Sequence, residues 1–143
     1  RECIRQRAGS AGGKIGAMIR ETHATDQAPA AIGPYSQAIR ASGSFLFISG
    51  QIPLTPTGER VDGDVRAQAA QVLKNIEGVL SSAGLGPANV VKTTIFLSSM
   101  EHFAAVNEVY KQTFGENPPA RSTVAVAGLP MGFDVEIETI AVY

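Results

Sequence analysis

The sequence predicts a single layered domain, α/β or α+β, in which two amphipathic helices cover one face of a β-sheet. Three observations carry that expectation. Segments with strand and helix character alternate in the order strand, strand, helix, strand, helix, strand, strand, the pattern of a sheet layered with helices. Each helical segment has one apolar stripe at the 3.6-residue period, and so one face to bury. The strands are apolar on both sides, which leaves the sheet face away from the helices in need of a cover.

Residues 1–17, rich in Gly, Ala and Arg and without apolar periodicity, read as an addition to that domain. Appended sequence or an upstream extension is the favoured account, since Met18 opens a segment that reads like a start. An Arg-rich organelle transit peptide is the runner-up. We draw a leader over 1–21 and a single domain over 22–143. Residues before about Ala28 are expected to be mobile and dispensable, and Cys3 to be freely reactive.

Ala38–Gly43 and Phe45–Gly50 read as strands about a Gly43-Ser44 turn, a predicted hairpin. The stretch from Gln51 to Gly63, with two prolines and two glycines, reads as loop. A helix is predicted from about Val65 to Ala83, with Asp64 as N-cap and Gly84 as its stop. Its stripe is Ala69, Val72, Leu73, Ile76, Val79, Leu80 and Ala83. Val90–Leu97 is the next strand. Ser98-Ser99-Met100-Glu101 reads as a capping box with Ser98 as N-cap, opening a helix whose apolar face is Phe103, Val106, Tyr110 and Phe114. Asn107 falls on that face, either as a satisfied core amide or as a group pointing into a pocket. Of the strand that begins near Arg121, Val124 and Val126 face one way. Thr123, Ala125 and Ala127 face the other, a small-residue surface suited to sheet contact between subunits. The last strand spans Asp134–Val142.

Composition limits the function. The chain has 143 residues with 44% hydrophobic and 17% charged content, ordinary for one globular domain. One cysteine and two distant histidines give neither a disulfide framework nor a zinc-ligand pattern. No apolar run approaches the length of a transmembrane helix. Residues 1–20 carry a balance of +4 and the remainder −5. A body that acidic is a poor partner for nucleic acid.

Two charged positions stand out. Arg121 lies where Pro118-Pro119 gives way to an apolar strand, and its planar fork matches a carboxylate or phosphate. Glu136 and Glu138 lie inside the last apolar strand. Read alone, these are either a strand cap and a wet face or the parts of an anion site. If the last two strands formed a hairpin across Leu129–Phe133, Arg121 and Glu136 would lie about 17 Å apart. Either the strands are not partners or the pocket joins two chains.

Four blocks carry a family resemblance: Gly33-Pro34-Tyr35-Ser36-Gln37-Ala38; Phe47-Ile48-Ser49-Gly50-Gln51-Ile52-Pro53; Val91-Lys92-Thr93-Thr94 leading to Val106-Asn107; and Pro119-Ala120-Arg121-Ser122 with Val135-Glu136-Ile137-Glu138. From about Thr25 to Tyr143 the chain closely resembles the Rid family of reactive-intermediate deaminases, also called YjgF-type or L-PSP. The resemblance implies an α+β, chorismate-mutase-like fold, a mixed sheet with two helices on one face. It implies homotrimers whose sheets form a central barrel, with sites between subunits. It also implies hydrolysis of 2-imino acids, such as 2-iminobutanoate or 2-iminopropanoate, to 2-keto acids and ammonia without metal or organic cofactor, in the cytoplasm or, with a transit peptide, an organelle.

By position, Arg121 matches the arginine that binds the substrate carboxylate and Glu136 the acid associated with the attacking water. Tyr35, Ser49, Gly50 and Asn107 match pocket positions. Where the family often has Cys, this chain has Thr123, which retains a backbone N–H for the ligand but no thiol. Two other function classes stand beside the deaminase: a non-catalytic trimer that senses keto acids, and a ribonuclease or translation inhibitor, against which the acidic body argues.

Overall fold

The computed structural model describes residues 17–143; the expectations for residues 1–16, Cys3 among them, lie outside the described residues. The chain runs β1 (Ile19–His23), β2 (Ala38–Ser42), β3 (Phe45–Gln51), α1 (Val65–Ser82), β4 (Val90–Leu97), α2 (Phe103–Phe114), β5 (Ala120–Ala125) and β6 (Val135–Val142). Four strands form one mixed sheet in the order β3-β6-β4-β5, and β1 with β2 forms a separate antiparallel ribbon.

Pairing explains why both helices share a face. β6 runs antiparallel to β3 and to β4, so β3 and β4 are parallel, and β4 is parallel to β5. β3–α1–β4 and β4–α2–β5 are therefore crossovers that step across the sheet in one direction. Crossovers of this kind keep one hand, so both helices land on the same side. Thr93, Ile95 and Leu97 of β4 are buried on that side, while Lys92, Thr94 and Phe96 alternate onto the other. Val135, Ile137 and Thr139 alternate with Glu136 and Glu138 along β6 in the same way. Val72, Ile76 and Leu80 of α1 and Val106 and Tyr110 of α2 complete the core over Ile95, Leu97 and Ile137. Each such side chain contributes about 1.5–3 kcal/mol by leaving water.

Helix α1 begins and ends where its sequence directs. Asp64 accepts the Ala67 N–H at 3.0 Å. Gly84, at φ +73°, donates to the Ser81 carbonyl, while Leu85 donates to Leu80, closing the last turn. The stripe differs at two places. Val79 is 36% exposed, and Gln68 is buried instead. The Gln68 amide is satisfied there: it accepts the Asp134 N–H at 2.9 Å and donates to the Asp134 carboxylate at 3.2 Å.

Asp134 also moves the cap of the second helical segment. Ser98 lies beside it where β4 and β6 end, and the Ser98 hydroxyl donates to its carboxylate at 2.7 Å. Ser99, not Ser98, therefore caps the 3-10 turn Met100–His102 that leads into α2, accepting the Glu101 N–H at 3.2 Å.

Three further expectations change. β2 and β3 do not form a hairpin with each other. Gly43, at φ +138°, makes a bend against the end of β6, the Tyr143 N–H donates to the Ser44 carbonyl, and β3 pairs with β6 while β2 pairs with β1. β5 and β6 are not partners, because β4 lies between them. The uncovered face of the sheet is the Val124 side, with Phe47 74% and Val124 43% exposed, and Thr123 lies on the helix side opposite Ile95.

Strand β1 lies across the boundary drawn at residue 22. Ile19–Glu21 belong to β1, and Arg20 donates to the carbonyls of Val90 and Asn117, each at 2.9 Å. Structure upstream of Ala28 thus ties the ribbon to the sheet. Arg20→Ala is expected to speed amide hydrogen exchange in Ile19–His23 about fivefold, on the basis of about 1 kcal/mol of lost hydrogen bonding, with β4 still protected. Unchanged exchange in β1 would show that Arg20 does not anchor it.

Candidate active site

Arg121 is placed by two neighbours. The Ser36 N–H donates to the Pro119 carbonyl at 3.0 Å and its hydroxyl to Pro118 at 2.5 Å, which lays the Gly33-Pro34-Tyr35 loop against the start of β5. Gln37 holds that loop from within, accepting the Thr25 N–H and donating to the Pro29 carbonyl, both at 2.7 Å. On the sheet, Arg121 pairs with Thr93, which faces the helices. The guanidinium therefore enters a cradle of three rings, with its carbon 5.0 Å from the Tyr110 centroid, 5.6 Å from Tyr35 and 5.8 Å from Phe103. Tyr110 is fixed in turn by a 2.7 Å hydrogen bond with the Thr93 hydroxyl. Asn107, half-buried, falls between Phe103 and Tyr110 on the same stripe of α2 by helical spacing.

The cradle holds a charge without a counter-charge. Among the described residues, no carboxylate lies within ion-pair distance of Arg121, and its Nη1 is buried with no hydrogen-bond partner. Burial pulls the guanidinium below its usual pKa, with Tyr110 and Tyr35 opposing. It nonetheless stays protonated. Ring contacts return about 0.5–2 kcal/mol each, against a desolvation cost of several kcal/mol for an unpaired ion.

Glu136 lies elsewhere. It pairs with Phe96 and so points to the uncovered face. Its carboxylate rests against the backbone of Gly50, at the irregularity between Ile48 and Gln51 where the β3 register shifts; a Cβ at residue 50 would collide with it. A side chain at residue 50 would have to displace the Glu136 carboxylate. From the Arg121 row to the Glu136 row is three residues along and two strands across. The backbone separation is about 14 Å, through the sheet as well as along it. Of the positions singled out by sequence, Tyr35, Thr123 and Asn107 gather on the Arg121 side, and Gly50 with the adjacent Ser49 on the Glu136 side. Phe103 and Tyr110 were assigned to the core, with only their spacing as a signal. A cavity of about 950 Å³ lies beyond Tyr35 between the ribbon and the end of α2, and Arg121 does not line it. Among the described residues, no three His, Cys, Asp or Glu side chains converge as a metal site.

The family profile described as Endoribonuclease L-PSP matches residues 25–143. The chain belongs to the Rid (L-PSP) family. Protein DfrA of Myxococcus xanthus is 54% identical over 127 residues, covering 87% of this chain and 97% of that protein. The 2-iminobutanoate/2-iminopropanoate deaminase of Mus musculus is 48% identical over 129 residues, covering 90% and 95%. Among solved structures, E. coli TdcF with bound serine superposes with a TM-score of 0.67 at 45% identity, covering 86% of this chain and 98% of that one. The mixed sheet with two helices on one face is the Rid fold, as these neighbours share it.

Within this Rid chain the Tyr110 hydroxyl is pushed up to about 12, chiefly by burial, with the Thr93 hydrogen bond and the Arg121 charge pulling the other way. Its folded pKa exceeds the unfolded value near 10. Between those values the unfolded chain loses the proton first, so stability present below about pH 10 is lost as pH rises towards about 12. Tyr110→Phe is expected to flatten that part of the denaturation profile, measured by urea unfolding at stepped pH. An unchanged slope would assign the alkaline loss to other groups.

Proposed function

We propose that this Rid protein hydrolyses small 2-imino acids, of the 2-iminobutanoate and 2-iminopropanoate kind, to 2-keto acids and ammonia. The observation that carries the reading is the Arg121 guanidinium, half-buried among three rings with no acid partner. A bidentate carboxylate completes it. The mouse relative is named for this deaminase activity, and the TdcF structure holds serine, itself a carboxylate.

In the proposed reaction the carboxylate docks on Arg121 and water adds to the electrophilic C=N carbon. Glu136 accepts the water proton and returns it to the departing nitrogen. The hydroxyl proton of the resulting carbinolamine then passes to the same nitrogen as the C–N bond breaks, the carbonyl forms, and ammonia leaves. The reaction needs positioning and proton transfer, and in this reading uses no cofactor. Because Arg121 and Glu136 point to opposite faces of one chain, the reading places the reaction between chains, in a homotrimer whose uncovered sheet faces meet. Two features support that assembly. The sheet has unpaired edges at β3 and β5, and Phe45, Phe47 and Val124 are exposed on the uncovered face. The family description also carries an endoribonuclease name. The balance of −5 over residues 21–143 offers RNA no basic footprint, so we do not adopt that reading.

Two experiments test the proposal. In the first, a dehydratase generates the imino acid and ammonia release is followed. Arg121→Ala is expected to lose at least about 100-fold in turnover and to abolish 2-oxobutanoate binding, the cost of removing one partner of a buried charge pair. Arg121→Lys should rescue little, since an ammonium cannot form the planar fork. Glu136→Gln should keep 2-oxobutanoate affinity and lose about 100-fold or more in turnover. Full turnover in Glu136→Gln would remove the general-base role of Glu136; full turnover in Arg121→Ala would remove the site. In the second, sedimentation equilibrium should give the mass of three chains. Co-assembled Arg121→Ala and Glu136→Gln chains should regain part of the activity that each lacks alone, because some sites then contain both native residues. No recovery in a mixed trimer would place the two groups in one chain's site.

A further inference from the structure

We propose that the apolar loop over residues 28–33 of one chain docks in the groove beside helix α1 of the next, with Ile32 as its anchor, and that this contact brings Arg121 of the first chain to Glu136 of the second. The contact rests on the homotrimer proposed above and names the surfaces that build it.

Ala28-Pro29-Ala30-Ala31-Ile32-Gly33 carries no charged or hydrogen-bonding side chain, yet all six residues are exposed, Ile32 at 93%. An exposed apolar run of this length marks a contact surface. Its backbone is tied down. The Gln37 amide donates to the carbonyls of Thr25, Ala28 and Pro29, and the Ile32 N–H donates to the Tyr35 hydroxyl at 3.3 Å. A loop already held in this way loses little further freedom on docking.

The matching concavity is a groove of about 600 Å³ between α1 and the loop that follows β3, with Ile52, Leu54, Pro56, Gly78 and Val79 along it. Asn75 donates to the carbonyls of Ile52 at 3.3 Å and Leu54 at 2.8 Å, which fastens that loop to the helix. Val79 is exposed although it belongs to the apolar stripe of α1, and a Cβ at Gly78 would meet nothing within 4 Å. The helix thus leaves an apolar hollow where its pattern calls for cover.

Loop and groove lie at opposite edges of the sheet. Ser36 docks the loop to the start of β5, whereas the groove opens at Gly50 and Gln51 of β3. Three strand spacings, about 14 Å, separate those edges. Unlike patches at opposite edges join chains head to tail, the contact from which rings are built. The same step assembles the site. The loop carries Tyr35 of the Arg121 cradle, and the groove begins at Gly50, against which the Glu136 carboxylate rests. A second copy of this chain therefore satisfies both surfaces with one contact.

Disulfide trapping in the full chain tests the docking. With Cys3→Ser removing the native thiol, Ile32→Cys and Val79→Cys together are expected to cross-link under mild oxidation, giving bands of two and three chains on a non-reducing gel. Either substitution alone should give none, because the contact joins unlike surfaces. Ile32→Ser is expected to weaken association about tenfold or more in sedimentation. Its circular dichroism should be unchanged, since the side chain lies outside the core. A three-chain mass without interchain disulfides, or native association in Ile32→Ser, overturns the docking and leaves the deaminase reading standing. A disulfide within one chain overturns it too. Interchain disulfides in a protein that does not hydrolyse imines keep the docking and remove the deaminase reading. A one-chain mass for the native protein removes the docking and the shared site together.

Discussion

The insertion of β6 between β3 and β4 sets the terms for everything else in this structure. Without it, β5 and β6 would be neighbours, and Arg121 and Glu136 would differ only by position along a hairpin. With it, β4 is paired on both sides and its alternation governs both partners. Thr93 carries Arg121 to the helix side, and Phe96 carries Glu136 to the uncovered side. A slip of one residue in either ladder would turn the corresponding side chain to the wrong face. The buried Ile95 row between them, with Thr123 and Ile137, resists such a slip because it would expose apolar surface on one side and bury charge on the other.

The Arg121 cradle is held by groups whose own partners lie within the fold. Tyr110 is locked to Thr93, so the ring nearest the guanidinium is anchored to the same β4 residue that sets the strand register. Tyr35 reaches the cradle on a loop that Ser36 docks to β5 and Gln37 staples internally. Arg121 Nη1 is the atom of the cradle left buried without a partner. A buried charge lowers stability wherever it sits. It is tolerated here because the α1 and α2 core is otherwise close-packed hydrocarbon.

Most of the fold was legible because its signals are local. The Asp64 cap, the Gly84 stop and the span of β4 each follow from neighbouring residues, and the structure reproduces them. The failures share a different cause. The Ser98 cap yields to Ser99, and Val79 yields its buried place to Gln68, because Asp134 recruits Ser98 and Gln68 from a distant part of the chain. The expected β2–β3 hairpin fails because the end of β6 takes the partners at residues 43–44. β1 was assigned to the leader because the two bonds that dock Arg20 go to Val90 and Asn117, which nothing near residue 20 in sequence reveals. Motif position singled out Arg121 and Tyr35, and the structure brings these two side chains together. The roles of Phe103 and Tyr110 were hidden, since a ring facing a cation has the same helical spacing as a ring facing hydrocarbon.

Opposite placement of the two charged groups also answers a problem that their chemistry raises. A guanidinium and a carboxylate free to meet within one chain would pair, and a bidentate ion pair would fill the very geometry a ligand carboxylate needs. The fold prevents that by distance and by the sheet itself. The guanidinium stays among rings on the helix side, and Glu136 stays on the other, where Lys92 also lies. Under the proposed assembly the acid is supplied only when chains associate, so proton transfer becomes available together with a surface that excludes water. Association and catalysis are then one requirement. The uncovered face must be apolar enough to hold chains together and must still carry a carboxylate, which is the combination that Phe47, Val124 and Glu136 present.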